Sequence, residues 1–125
     1  MIYTSYFGNM KRIGNDVIYV AISATIPDGV KCLHLKQLAP SYDNLITFKG
    51  DFDWDRYSKR YKEETLSKFR PDEIISMIYN LIGEQRTVKD IVLLCYEKEY
   101  SRCHRSLVAE YLTSGGILVK EYSKC

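Results

Sequence analysis

Five consecutive apolar residues, IVLLC at 91–95, set the strongest limit on the fold. A strand with one wet face alternates apolar and polar side chains, so an unbroken run belongs to a strand covered on both faces. Such strands lie in parallel sheets with helices packed on either side. The segments that follow fit this. Residues 101–113 have helical spacing, Gly115 and Gly116 stop the helix, and ILVKEY at 117–122 reads as a last strand. Strand, helix and strand in this order imply a right-handed crossover and an α/β fold with a mostly parallel sheet.

The rest of the chain supplies the other elements. Ile2–Tyr6 reads as a short strand, DVIYVAIS at 16–23 as a strong β-branched one, and residues 32–35 as a third, for a sheet of about five strands. Ser41 suits the cap of a helix over 42–49, with Gly50 just past its end. Tyr57, Tyr61 and Phe69, with Leu66, form one apolar stripe in a helix over 55–69. Pro71, Asp72 and Glu73 suit the first turn of the next helix, which Ile74, Ile75, Ile78, Leu81 and Ile82 carry to Gly83. Roughly nine residues separate the first two strands, near the lower limit for a crossover. Parallel and antiparallel starts to the sheet are both open.

With 125 residues, the chain has room for one domain spanning 1–125 and one core. A net charge of +2, with basic and acidic residues interspersed, argues against nucleic acid as a partner. VIYVAISATI, the longest apolar stretch, is too short to span a bilayer, and MIYTSYFGNMKR lacks the pattern of a signal peptide. No membrane partner is expected. Four cysteines without paired zinc spacing or secretory context point to reduced thiols and a cytoplasmic location. Eleven tyrosines read first as core-edge residues, although tyrosine-rich helix faces leave room for a homodimer.

Chemistry-bearing residues crowd the end of the central strand, in CYEKEYSRCHRS at 95–106. With Ser101 as helix cap, Glu97 stands at the strand's carboxyl end, and Arg102, Cys103 and His104 fill the first helical turn. Ligands of open α/β sheets bind there, and the unpaired N–H groups of a helix start favour an anion. Arg102 or Arg105 could complete a phosphate or carboxylate site with a two-pronged fork. At about 100° per residue, Leu107, Val108, Tyr111 and Leu112 define the buried face, and His104 falls near its centre. His104 therefore reads as scaffold bonded to a backbone carbonyl, with a general base as the alternative. Cys103 is a low-pKa nucleophile or a packed thiol. Cys95 ends the apolar strand and reads as core. Glu97 binds a hydroxyl, acts as a base, is a solvated turn residue, or pairs with Arg105. A cysteine-phosphatase loop needs five residues between cysteine and arginine, but Cys95 and Arg102 have six between them. Cys103 and His104, adjacent on a helix, are expected to diverge, so no metal site and no cofactor is predicted.

LLCYEKEYSRCHRSLVAEYL resembles the hallmark of the domain-of-unknown-function 488 (DUF488) family, a Cys-x-Glu at a strand end followed by Cys-His-Arg opening a helix. IYTSYF at the start, AISATIP around Ser23 and Pro27, QLAPS at 37–41 and the Tyr57…Tyr61 pair are similar too, and the length suits the family's compact single-domain branch. The resemblance implies a three-layer, Rossmann-like α/β domain with a pocket under the two elements. It carries over Cys95, Glu97, Cys103, His104 and Arg105, with Thr4, Ser5, Ser23 and Pro40 as pocket-edge residues. It names no reaction; relatives are linked by genomic association to nucleotide, nucleic-acid-modification and defence contexts. Short connections near 8–15 and 24–31 depart from the longer relatives and put an early crossover helix in question.

The function expected is binding of a small phosphate-bearing or nucleotide-derived ligand, as a sensor or sequestering protein. Helix N–H groups, Arg102 and Arg105 would hold the anion, Glu97 a hydroxyl or amine, and Tyr57 or Tyr61 would cover a base. The alternative is an enzyme acting on a nucleotide or N-glycosidic substrate, with Glu97 as base or stabiliser or Cys103 as nucleophile. A protein-interaction domain with a purely structural motif is the third reading.

Overall fold

A computed structural model of the protein describes residues 1–83 and 89–122. Strand β1 (Ile2–Tyr6) leads through a 3-10 turn into the one-turn helix α1 (Met10–Ile13), then β2 (Val17–Ala21) and β3 (Leu33–His34). Helices α2 (Tyr42–Asp51), α3 (Trp54–Glu64) and α4 (Pro71–Ile82) follow. Strand β4 (Asp90–Cys95), helix α5 (His104–Ser114) and strand β5 (Val119–Glu121) come last. Among the described residues, no helix is long and apolar enough to cross a membrane.

The five strands form one parallel sheet in the order β3-β2-β4-β1-β5. The two possible starts to the sheet are thereby resolved. β1 and β2 do not pair with each other. Each pairs with β4, which lies between them: Ile2 and Ile18 both register with Ile91. The connection over 7–16 therefore spans one intervening strand, and the single turn of α1 suffices for it.

Alternation along the strands assigns the two faces. Ile91, Leu93 and Cys95 join Ile18, Val20 and Ile22 in the larger core, where Tyr61, Ile74, Ile78, Val108 and Leu112 of the helices meet them. Val92 and Leu94 point the other way, against Ile13 with Phe7, Met10 and Tyr19. The result is the predicted three-layer, Rossmann-like α/β fold, with one layer reduced to α1 and its flanking turn.

Helix ends follow local chemistry. The Ser41 hydroxyl accepts the Asn44 N–H (3.1 Å) at the start of α2. α2 runs past Gly50 to Asp51 and is closed by Phe52 in the left-handed region (φ 54°). The helix expected over 55–69 stops at Glu64, and a 3-10 turn over Leu66–Lys68 buries Leu66. Arg70 is extended (φ −80°, ψ 157°), as a residue preceding proline must be, so no helix can run through into α4. The cap of α5 is Cys103, two residues later than the expected Ser101. Tyr100–Arg102 form a 3-10 turn, and Cys103, extended at φ −126° and ψ 142°, is the residue before the helix.

Candidate functional site

The chain leaves β2 toward β3 at one edge of the sheet and leaves β4 toward β5 at the other. Adjacent strands whose connections diverge leave a crevice beyond their carboxyl ends. A cavity of about 400 Å³ opens there. Its walls are Ser23–Thr25 after β2, Cys95–Glu97 after β4, Arg102–His104 at the start of α5, and Leu45, Phe48, Lys49 and Phe52 of α2 and its cap, with Pro40 and Tyr57.

Of the residues singled out in the sequence, Ser23, Pro40, Tyr57, Cys95, Glu97, Arg102, Cys103 and His104 meet at this cavity. Thr4, Ser5, Tyr61 and Arg105 do not line it. Thr4 and Ser5 lie on β1, beyond β4, and their hydroxyls are engaged with Glu121 (2.7 Å) and Asn9 (3.0 Å). Tyr61 is fully buried and donates its hydroxyl to the Leu38 carbonyl (2.5 Å) while its ring stacks on Tyr57.

Arg105 is the main departure from the expected anion site. Its side chain is fully buried and makes a two-pronged pair with Glu121 (3.0 and 2.8 Å). The remaining donors reach the carbonyls of Glu97 and of Lys98 (3.1 Å) and the sulfur of Cys95 (3.3 Å), with the rings of Tyr6 and Tyr100 on the guanidinium. Arg105 thus holds the turn after β4 from behind and does not face the pocket. Its ion-pair partner is Glu121, and it meets Glu97 through the backbone alone. This frees the Glu97 carboxylate for the cavity.

His104 is buried, with Nε2 2.8 Å from the Ile22 carbonyl. Burial is the main cause of a pKa depressed to about 4; the Ile22 carbonyl offsets part of it and the charge of Arg105 adds to it. The imidazole is therefore neutral at pH 7. Tyr57, at the cavity wall, is pushed well up by burial and secondarily by the charge of Glu97, so it stays a phenol and a hydrogen-bond donor.

Cys103 and His104 do not diverge. The extended backbone at Cys103 swings its side chain under the loop, leaving Sγ 3.9 Å from His104 Nδ1. The Cys103 and Cys95 sulfurs are in bonding contact, so the structure pairs two cysteines that the sequence suggested were separate reduced thiols. Cys32 is free.

The aromatic wall from α2 was not visible in the sequence. Phe48 lies 4.7 Å from the Tyr57 ring and 5.9 Å from those of Phe52 and Trp54. The spacing of Leu45, Phe48 and Phe52 on one side of α2 was the available signal. At the rim, the hydroxyls of Thr25 and Tyr96 are 3.0 Å apart and join the loops after β2 and β4.

A family model described as DUF488-N3a, the active DUF488-N3 subclade, matches residues 3–116. No curated protein and no solved structure matches the chain.

Proposed function

We propose that this chain, which belongs to the DUF488 family, binds a small phosphate-bearing or nucleotide-derived ligand in the crevice beyond β2 and β4. The observation carrying the proposal is the composition of that one cavity: an aromatic wall on one side and a helix start with charged side chains on the other. Phe48 and the exposed Phe52 offer aromatic surface for a base, backed by Tyr57, which is buried against Phe48, Trp54 and Tyr61. Lys49, Arg102 and the first-turn N–H groups of α5 suit an anion, because a helix start carries unpaired donors and positive partial charge. Glu97 suits a ribose hydroxyl or an amine. A cavity of about 400 Å³ lies within the range of small-molecule sites.

A second reading, an enzyme on a nucleotide or N-glycosidic substrate, draws support from the description of the matched subclade as active. In that case Glu97 is the residue to act as base or as stabiliser of a glycosidic cation. Cys103, 2% exposed and in contact with Cys95, is poorly presented as a nucleophile.

Mass spectrometry of small molecules released by denaturation, with thermal shift against a nucleotide panel, tests the first reading. A copurifying nucleotide-like anion, or a shift of several degrees, supports it. Clean protein with no shift refutes it. Glu97→Gln separates the readings: a binder keeps most of its affinity, whereas an enzyme keeps binding and loses turnover.

A further inference from the structure

We propose that Cys95, Cys103 and His104 form a site for one soft divalent metal ion, zinc by its donor set, with a fourth coordination position opening into the pocket. The three donors come from the end of β4, the residue before α5 and its first residue, and their ligand atoms all lie within 4.8 Å of one another. Zinc takes thiolate sulfur at about 2.3 Å and imidazole nitrogen at about 2.0 Å, so its donors stand roughly 4 Å apart. A thiol reductant supplies the two electrons that convert the paired Cys95 and Cys103 sulfurs into separate thiols. Each thiol gives up its proton as it binds the ion, and the freed side chains can then move to that spacing.

The histidine presents the correct atom. A carbonyl oxygen only accepts, so the 2.8 Å contact with Ile22 puts the hydrogen on Nε2 and leaves a lone pair on Nδ1. Nδ1 is the atom 3.9 Å from Cys103 Sγ. Metal-ligating histidines ordinarily have such a carbonyl or carboxylate behind the ring, fixing tautomer and orientation.

Backbone spacing points the same way. The Cα atoms of Cys95 and Cys103 are 7.6 Å apart, whereas directly cross-linked cysteines stand about 4.4–6.8 Å apart. With the pair reduced, an ion held between the two thiolates by bonds of about 2.3 Å suits this wider span. Charge balances as well. Two thiolates and a dication sum to zero in a region where all three side chains are buried, which removes the cost of burying either charge alone. Arg105 is balanced separately by Glu121, and its hydrogen bond to Cys95 Sγ supports a ligating thiolate.

Two sulfurs and one imidazole select zinc over magnesium or calcium. Three protein donors with an open position are the pattern of reactive zinc sites, whereas structural sites are closed by four. All three residues line the cavity, with Glu97 on the same wall. The assignment rests on the donor geometry and is independent of which anion the pocket takes.

The test uses the full chain, untagged and purified with reductant and without chelator, and reads metal content by mass spectrometry. One zinc per chain is expected. Apo protein titrated with cobalt(II) should show thiolate-to-cobalt charge-transfer absorption and the intense visible bands of a four-coordinate ion. Cys95→Ser and Cys103→Ser should each weaken zinc binding by more than about 100-fold, exceeding the usual loss for a supporting residue, while Cys32→Ser leaves it unchanged. Circular dichroism reports whether each variant folds; where a serine variant does not, the wild-type cobalt spectrum decides. Reduced protein giving no thiolate–cobalt band overturns the proposal, as does unchanged zinc binding in folded cysteine variants. Recovery of a Cys95–Cys103 disulfide from protein that takes up no zinc when reduced would make the pair a redox couple instead.

Discussion

Arg105→Lys is the substitution whose consequences the structure specifies most fully. Lysine keeps the charge and loses the fork, so it can satisfy Glu121 or the turn after β4 but not both. The wild-type guanidinium is fully buried, bonds both Glu121 oxygens, and donates to the carbonyls of Glu97 and Lys98. At least two of these charged hydrogen bonds have no counterpart from lysine, and each is worth about 1.5–3 kcal/mol. Glu121 retains 29% side-chain exposure and can be partly rehydrated, so the lower end, ~3 kcal/mol in all, is expected. Against a total stability of about 5–15 kcal/mol, the variant stays folded but marginal. Urea denaturation of the wild type, Arg105→Lys, Glu121→Gln and the double variant, in reducing and chelating buffer, measures both the loss and the coupling. The coupling should exceed ~1 kcal/mol, because the two residues share one bonded network. A loss under ~1 kcal/mol for Arg105→Lys, or a cycle with no coupling, would refute the assignment of Arg105 as the support of the turn.

Three further outcomes follow from other parts of the fold. Tyr61→Phe should cost about 1–2 kcal/mol in thermal or urea denaturation, since it leaves the Leu38 carbonyl without its donor. Gly115→Ala should destabilise by about 1–3 kcal/mol, because a Cβ there would sit 2.5 Å from Cβ of Pro71 and a proline ring cannot swing aside; a neutral effect would show that the packing of α4 on α5 is looser than described. The carboxyl of Asp51, held by the Arg56 guanidinium and the Asp53 N–H, should titrate by NMR near pH 2, not near the ordinary 3.8. A depressed folded value means that its contribution is present above pH 3.8 and is lost as pH falls toward 2, and high salt should weaken it because the pair is exposed.

The sheet was legible because its information is local. IVLLC declares a strand buried on both faces, and the glycine pair and proline punctuate the last helices. The inward turn of His104 follows from helical phase, which depends on nothing beyond its own helix. What the sequence hid depends on contacts across the chain. Arg105 looked like an anion ligand because its partner, Glu121, is sixteen residues away on strand β5. Cys103 and His104 looked divergent because ideal helical geometry was extended one residue too far, to a cysteine whose backbone is extended. Thr4 and Ser5 looked like pocket residues because strand ends were treated alike, whereas the order of the strands decides which ends flank the crevice.

The insertion of β4 between β1 and β2 also governs how the chain can assemble in time. Until residues 90–95 arrive, the earlier strands share no ladder except the two-residue pairing of β2 with β3. Each wide ladder closes a loop of some seventy residues or more, and topologies dominated by such distant pairings fold slowly. A nascent chain halted before β4 would expose the edges of β1 and β2 and the apolar faces of three helices, the surfaces on which aggregation starts. The strand that builds the pocket is therefore also the keystone of folding, and a lesion within IVLLC should reduce the yield of folded protein before it affects any ligand.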